Sequence, residues 1–114
     1  MDEFVRMAVL ADVYGPLLTD NQRKVVELHY GEDLSLGEIA EQFGISRAAV
    51  HDTLRRAQHA LEEYEAAIGF VSREEALREA VRSALDALSE AESGRSTADE
   101  AISRVRRILE RMFD

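Results

Sequence analysis

The sequence predicts an all-α protein, and three features of its composition and patterning favour this fold class. The 114 residues include one proline and six glycines, so few positions interrupt a helix. Apolar residues make up 46% of the chain and recur at the spacing of three and four that marks amphipathic helices. The chain is also rich in alanine, leucine, glutamate and arginine, which favour helices. Its length suits one small domain with a largely aliphatic core.

Capping residues and apolar spacing define the first two helices. The first is predicted over residues 3–14 and ends at the Gly15-Pro16 pair. The second begins after Thr19, a favourable N-cap, and ends at Gly31. The residues that recur at helical spacing in the first helix are Phe4, Met7, Ala8, Ala11 and Tyr14.

A short third helix is predicted over residues 36–43. Ser35 and Glu38 have the spacing of a capping box, in which the two side chains bind each other's backbone N–H groups. Gly44 ends the helix because glycine readily adopts the left-handed conformation of a C-terminal cap.

A long fourth helix is predicted over residues 47–68, since Ser46 can cap it and nothing before Gly69 interrupts it. Ser72 is predicted to cap the helix that follows. The residues predicted to face inward from the fourth helix are Val50, Leu54, Ala57, Leu61 and Tyr64.

The chain therefore divides into an N-terminal domain, residues 1–68, and a C-terminal helical hairpin, residues 69–114. Two apolar stripes with the alternating three–four spacing of coiled coils flank a polar linker over residues 92–97. Two interpretations remain open: the stripes pack on the first domain, or they form the seam of a homodimer. The stripes consist of Leu77, Val81, Ala84, Leu88 and Ala91, and of Ile102, Val105, Leu109 and Met112.

Residues 39–54 have the pattern of a helix-turn-helix. Ala40 is small where the second helix crosses the first, Gly44 lets the chain reverse, and Ile45 is expected to fill the corner. Val50 and Leu54 are expected to pack the second helix of the motif against the first. The residues left on the outer surface of the second helix are Arg47, Ala48, His51, Asp52 and Arg55.

The second helix of such a motif enters the major groove of DNA with its N-terminal residues at the base edges. Arg47 is the candidate for a guanine edge, while Arg55 and Arg56 are candidates for phosphates. The other candidates are Ser46 and His51 on the same helix, and Gln22, Arg23 and Lys24 on the preceding one.

The formal net charge of −9 opposes indiscriminate binding to nucleic acid. Basic residues are nevertheless concentrated on the candidate face, although Asp52 stands among them. The expected alternatives are a weak, salt-sensitive nucleic-acid binder and a protein-interaction module that uses the motif as a scaffold. The basic residues of this face are Arg23, Lys24, Arg47, Arg55 and Arg56.

Catalytic and metal-binding functions find no support in the sequence. The chain has no cysteine, which excludes disulfides, thiol nucleophiles and thiolate metal sites. Its three histidines, His29, His51 and His59, lie outside any metal-ligand or catalytic pattern. No apolar run reaches the roughly 18 residues that span a bilayer, and the acidic opening MDEFVRMAVL leads us to expect no signal peptide. We expect a cytoplasmic protein without enzymatic activity, cofactor or metal.

The stretch LLTDNQRKVVELHYGEDLSLGEIAEQFGISRAAVHDTLRRAQHALEEYE, residues 17–65, resembles the fourth region of bacterial sigma factors, which reads a promoter element. It most closely resembles the YlxM family, through Leu18, Thr19 and Gln22, LSLGEIAEQFGISRAAV and LEEYE. Ala48 and His51 depart from the Gln and Tyr that family members tend to carry, so base contacts do not transfer there.

The resemblance implies a sigma-region-four-like bundle with a long recognition helix and a C-terminal helical hairpin. It also implies a regulatory helix-turn-helix protein without enzymatic activity or cofactor, linked to the signal recognition particle pathway. The implied partners are DNA or the RNA of the signal recognition particle, with the protein components of that particle as the alternative.

Overall fold

The computed structural model describes residues 2–113, whose regular structure is helical throughout and contains no strand. The all-α prediction is therefore confirmed. A 3-10 turn, Gly15–Leu17, follows the first α-helix, and a π-helical turn, Glu27–Gly31, follows the second. The α-helices are α1 (Glu3–Tyr14), α2 (Asp20–Val26), α3 (Leu36–Phe43), α4 (Arg47–Ile68), α5 (Phe70–Glu92) and α6 (Ala98–Arg111).

The capping residues form the hydrogen bonds that their spacing predicts. Thr19 with Gln22, and Ser35 with Glu38, form complete capping boxes at the N-termini of α2 and α3. The Ser46 hydroxyl accepts a hydrogen bond of 3.0 Å from the backbone N–H of Ala49 at the start of α4. The predicted bounds of α1, α3 and α4 are confirmed because each boundary depends on groups only a few residues apart.

Phe4 shares the helical spacing of the apolar residues of α1 but lies outside the core. Its side chain is 43% exposed and packs on two aromatic rings of the π-helical turn, with its ring centroid 5.8 Å from that of His29 and 5.0 Å from that of Tyr30. The fully buried residue of α1 is Leu10, together with Met7 and Tyr14. The rings of His29 and Tyr30 in the π-helical turn face the start of α1, so Phe4 has aromatic partners at the surface.

Helix α4 is the central element of the N-terminal part, since α1, α2 and α3 all pack against it. Burial of one such aliphatic side chain contributes about 1.5–3 kcal/mol to stability. The predicted inward residues Val50, Leu54, Ala57 and Leu61 are buried, and Tyr64 is half-buried. The largest fully buried side chains of the core are Leu10, Val25, Ile39, Val50 and Leu61.

Ser72 was predicted to cap the fifth helix, but α5 begins two residues earlier, at Phe70. The Glu65 carboxylate, which is 6% exposed, accepts hydrogen bonds from the hydroxyl of Tyr14 at 2.5 Å and the backbone N–H of Val71 at 3.1 Å. The Tyr14 hydroxyl in turn accepts from the Phe70 N–H at 3.3 Å. These two side chains satisfy the first N–H groups of α5, so the helix starts before Ser72. Burial, followed by the Glu65 hydrogen bond, raises the pKa of Tyr14.

The chain divides into two compact units, a first unit that ends at Val71 and a second unit that begins at Ser72. In the second unit, Thr97 caps α6 by accepting a hydrogen bond of 3.1 Å from the Glu100 N–H. An ion pair of 3.3 Å joins Arg104 of α6 to Glu90 of α5. Over residues 2–113, none of the helices combines the length and apolar character that a membrane crossing requires.

Candidate nucleic-acid interface

The turn between α3 and α4 is a Schellman motif built around Gly44. Gly44 lies in the left-handed region, with φ of 67°. The Ile45 N–H donates to the Ala40 carbonyl at 3.1 Å, and the Gly44 N–H donates to the Glu41 carbonyl at 3.3 Å. These bonds satisfy the last carbonyls of α3 and reverse the chain into α4, as the helix-turn-helix pattern predicts.

Packing between the two helices of the motif depends on small and branched side chains. Ala40 is buried, as is Val50, and Leu54 lies one turn further along α4. Ile45 is different: its side chain is 43% exposed, so it only partly fills the corner that it was expected to plug. The backbone hydrogen bond of Ile45, rather than its side chain, closes the corner.

Three candidate residues form one exposed stripe on α4. Arg47, His51 and Arg55 are spaced by four residues, so they lie on one face of the helix, and all three are exposed. Arg47 and Arg55 are separated by about 12 Å along the helix axis, at 1.5 Å per residue. Among residues 2–113, neither arginine has an ion-pair partner. We call these three residues the α4 stripe.

Two of the other candidate cations, Arg56 and Arg23, are already paired with acids. Arg56 binds Asp52 at 3.1 Å, and Arg23 binds Glu27 at 3.0 Å, each across one turn of an exposed helix. Such exposed pairs contribute little stability, so a stronger anion can compete for either arginine. Lys24 is exposed on α2 and forms no ion pair within the described part of the chain. Ser46 lies at the start of α4, where its hydroxyl serves as the N-cap.

The acids in the C-terminal half of α4 are held by other groups. Glu62 accepts two hydrogen bonds from the Arg6 guanidinium, at 2.8 and 3.1 Å, and this contact raises the pKa of Arg6. Glu63 lies 2.9 Å from His59, and Glu65 is buried at the junction with α5. The negative charge of α4 is therefore concentrated about two to three turns beyond Arg55, the last residue of the α4 stripe.

Two polar contacts that position the motif were not predicted. The Gln58 amide donates to the Tyr30 hydroxyl at 2.7 Å, which ties the π-helical turn to α4. His29 Nδ1 lies 2.9 Å from the Leu34 carbonyl oxygen and braces the loop into α3. Glu65 had a sequence signal, because it continues the inward stripe of α4 four residues after Leu61. In residues 2–113, no three His, Cys, Asp or Glu side chains are grouped so as to hold a metal ion.

Comparison with known proteins places this motif in a family. A family model described as "Putative helix-turn-helix protein, YlxM / p13 like" (UPF0122) matches residues 1–105. A UPF0122 protein of Desulforamulus reducens is 43% identical over 114 residues, which cover the whole chain and 96% of the relative. One from Halalkalibacterium halodurans is 42% identical over 100 residues, 88% of each chain. One from Symbiobacterium thermophilum is 50% identical over 72 residues, 63% of this chain and 67% of the relative. The chain belongs to the UPF0122 family of YlxM/p13-like helix-turn-helix proteins.

Proposed function

We propose that the protein is a non-enzymatic regulator that binds nucleic acid through the α4 stripe. The observation that carries this proposal is the exposure of Arg47 and Arg55, without acidic partners in residues 2–113, on a helix held by a helix-turn-helix corner. The ligands that we propose are DNA or the RNA of the signal recognition particle, to which the resemblance to the YlxM family links the chain.

The spacing of the stripe suits a groove lined by phosphates. Arg47 is the first residue of α4, the end that approaches base edges in helix-turn-helix complexes. Its guanidinium can donate two hydrogen bonds to a guanine edge. Arg55 lies about 12 Å further along the axis, a distance close to the roughly 12 Å width of the major groove. We therefore assign Arg47 to base contact and Arg55, with Arg56, to phosphate contact.

The net charge of −9 sets the expected strength of binding. If Lys24, Arg55 and Arg56 each neutralise one phosphate, the affinity falls about 40-fold between 50 and 200 mM salt, from a slope of about −0.9 per contact. Few contacts and a repulsive net charge favour weak binding that is seen at low salt. This expectation differs from that for a strongly basic protein that coats DNA without selection.

The test is titration of the protein into labelled duplex DNA and into signal recognition particle RNA at two salt concentrations. We expect Arg47→Ala to abolish the preference among sequences and Arg56→Ala to weaken binding to all sequences alike. Arg78→Ala, which alters an exposed arginine on α5, is the matched control and leaves binding unchanged. Absence of binding to both ligands at low salt refutes the proposal.

A second candidate is a module that binds protein components of the signal recognition particle, with the helix-turn-helix as a scaffold. The acidic balance of the first unit favours it, because residues 1–71 contain 13 acidic and 6 basic side chains. A basic protein surface is the partner that this balance suits. Binding to the purified protein components that persists after nuclease treatment and in Arg47→Ala would support this candidate over the first.

A further inference from the structure

The second unit has almost no core of its own. The buried hydrophobic residues described from Ser72 onward are two alanines, Ala87 and Ala101. Eight of its large apolar residues are between 40% and 90% exposed, whereas Val105 and Ile108 are half-buried. Two helices that bury only alanines gain little from the hydrophobic effect. The exposed residues, which we call the C-terminal apolar face, are Leu77, Val81, Leu85, Leu88, Ile102, Leu109, Met112 and Phe113.

We propose that the same unit of a second copy covers this face, so that α5 of each protomer packs against α6 of its partner. Apolar stripes with alternating three–four spacing are those of helices that pack along their length. Within one chain, several of these stripe residues stay exposed, although Val105 is half-buried. A twofold axis between the two protomers makes the contact between α5 of one and α6 of the other occur twice, so that the apolar stripes of both helices are covered in each copy.

The charges of the two helices support this pairing. From Ser72 to Glu92, α5 carries six acidic residues and three arginines, whereas residues 104–111 of α6 carry four arginines and one glutamate. Within the chain, a single ion pair joins these helices among the residues described, between Arg104 and Glu90. The exposed charges without an ion pair in the described part include Glu75, Asp86 and Glu92 on α5, and on α6 Arg106, Arg107 and Arg111 together with Asp99, Glu100 and Glu110.

The same charges favour a second copy meeting at this unit rather than at the first. Residues 1–71 carry a net charge of −7, from 13 acids and 6 bases, and residues 72–114 carry −2, from 10 acids and 8 bases. Two copies therefore repel each other least where the second units approach. An acidic α5 and a basic α6 on each copy also make the surface complementary to itself.

The oligomeric state, measured by light scattering on nuclease-treated protein, tests the apolar part of the proposal. We expect a mass of twice the 12.8 kDa chain for the unmodified protein and of one chain for Leu109→Glu. Leu17→Glu, which alters an exposed leucine of the first unit, is the matched control and remains dimeric. An unmodified protein that is monomeric from micromolar to near-millimolar concentration, or a Leu109→Glu variant that stays dimeric, overturns the proposal.

Charge reversal tests the pairing of α5 with α6 and identifies the second copy as the partner. We expect Arg106→Glu with Arg107→Glu to weaken dimerisation at least tenfold, and Glu75→Lys with Asp86→Lys to do the same. An equal mixture of the two variants restores the dimer, because each acidic helix again meets a basic one. Circular dichroism confirms that both variants are helical. Failure of the mixture to associate contradicts the pairing, and association that requires added nucleic acid assigns the arginines to phosphate binding instead.

Discussion

Substitution of Gly44 by alanine measures how much the left-handed corner contributes to the helix-turn-helix. Gly44 has φ of 67° and ψ of 33°, and a Cβ atom built there meets nothing within 4 Å. The substitution therefore introduces backbone strain without a steric clash. An L-residue in this conformation costs about 1–2 kcal/mol. The lower entropy of the unfolded chain offsets about 0.4–1 kcal/mol of that cost. We expect Gly44→Ala to destabilise the protein by about 1 kcal/mol.

Gly37→Ala is the matched control, since it makes the same chemical change within the same motif. Gly37 lies in the first turn of α3, and its added Cβ meets only the Ser35 Oγ, at an ordinary contact distance of 3.9 Å. Alanine there gains up to about 1 kcal/mol of helix propensity. Urea unfolding followed by circular dichroism measures both variants. If the two substitutions change the free energy of unfolding in the same direction, backbone strain at Gly44 does not determine the effect of the substitution.

Three further predictions concern charge and pH. Asp52→Asn removes the carboxylate 3.1 Å from Arg56, so nucleic-acid affinity should rise about two- to five-fold in fluorescence anisotropy; unchanged affinity argues against phosphate near this turn. Tyr14 has a raised pKa, so its contribution to the free energy of unfolding is complete below its ordinary pKa of 10.0 and is lost as pH rises through the folded-state pKa. In thermal unfolding, Tyr14→Phe should therefore lose stability less steeply with rising alkaline pH than the unmodified protein. Equal slopes for the two proteins contradict this. Hydrogen bonds from the Ser35 backbone and side chain lower the pKa of Glu38, so its contribution to the free energy of unfolding is present above its ordinary pKa of 4.5 and is lost as pH falls through the folded-state pKa. Glu38→Gln should therefore lose stability less steeply than the unmodified protein as the solution is acidified. An unchanged acid dependence rules this out.

The bounds of α1, α3 and α4 were predictable because their causes are local, whereas the second helix, predicted to reach Gly31, ends as an α-helix at Val26 and continues as a π-helical turn. The capping boxes of Thr19 and Ser35 are completed by residues three positions away, and Gly44 ends α3 by its own backbone conformation. The burial of Val50 and Leu54 follows from the helical period alone. The same period put Arg47, His51 and Arg55 on one exposed face, so the α4 stripe was predictable too.

Features that depend on distant residues were not predictable in this way. Phe4 lies at the surface, where it packs on rings of a π-helical turn that begins more than 20 residues later, and the spacing within α1 does not show this contact. The start of α5 depends on Tyr14, whose hydroxyl accepts a hydrogen bond from the backbone N–H of Phe70, 56 residues later in the chain. The ion pairs at Arg56 and Arg23 divide the predicted basic face into paired and unpaired cations, and only side-chain geometry shows which is which.

The salt dependence of nucleic-acid binding by the Arg47→Ala, Arg55→Ala double variant tests the proposed role of the α4 stripe. The unmodified protein should bind duplex DNA or signal recognition particle RNA at low salt, with an affinity that falls about 40-fold between 50 and 200 mM salt. The double variant should lose most of this affinity and, because Arg55 is one of three phosphate contacts, about one-third of the slope, whereas Arg78→Ala should match the unmodified protein. A double variant that binds as tightly and with the same slope as the unmodified protein contradicts the proposal that α4 is the nucleic-acid-binding helix.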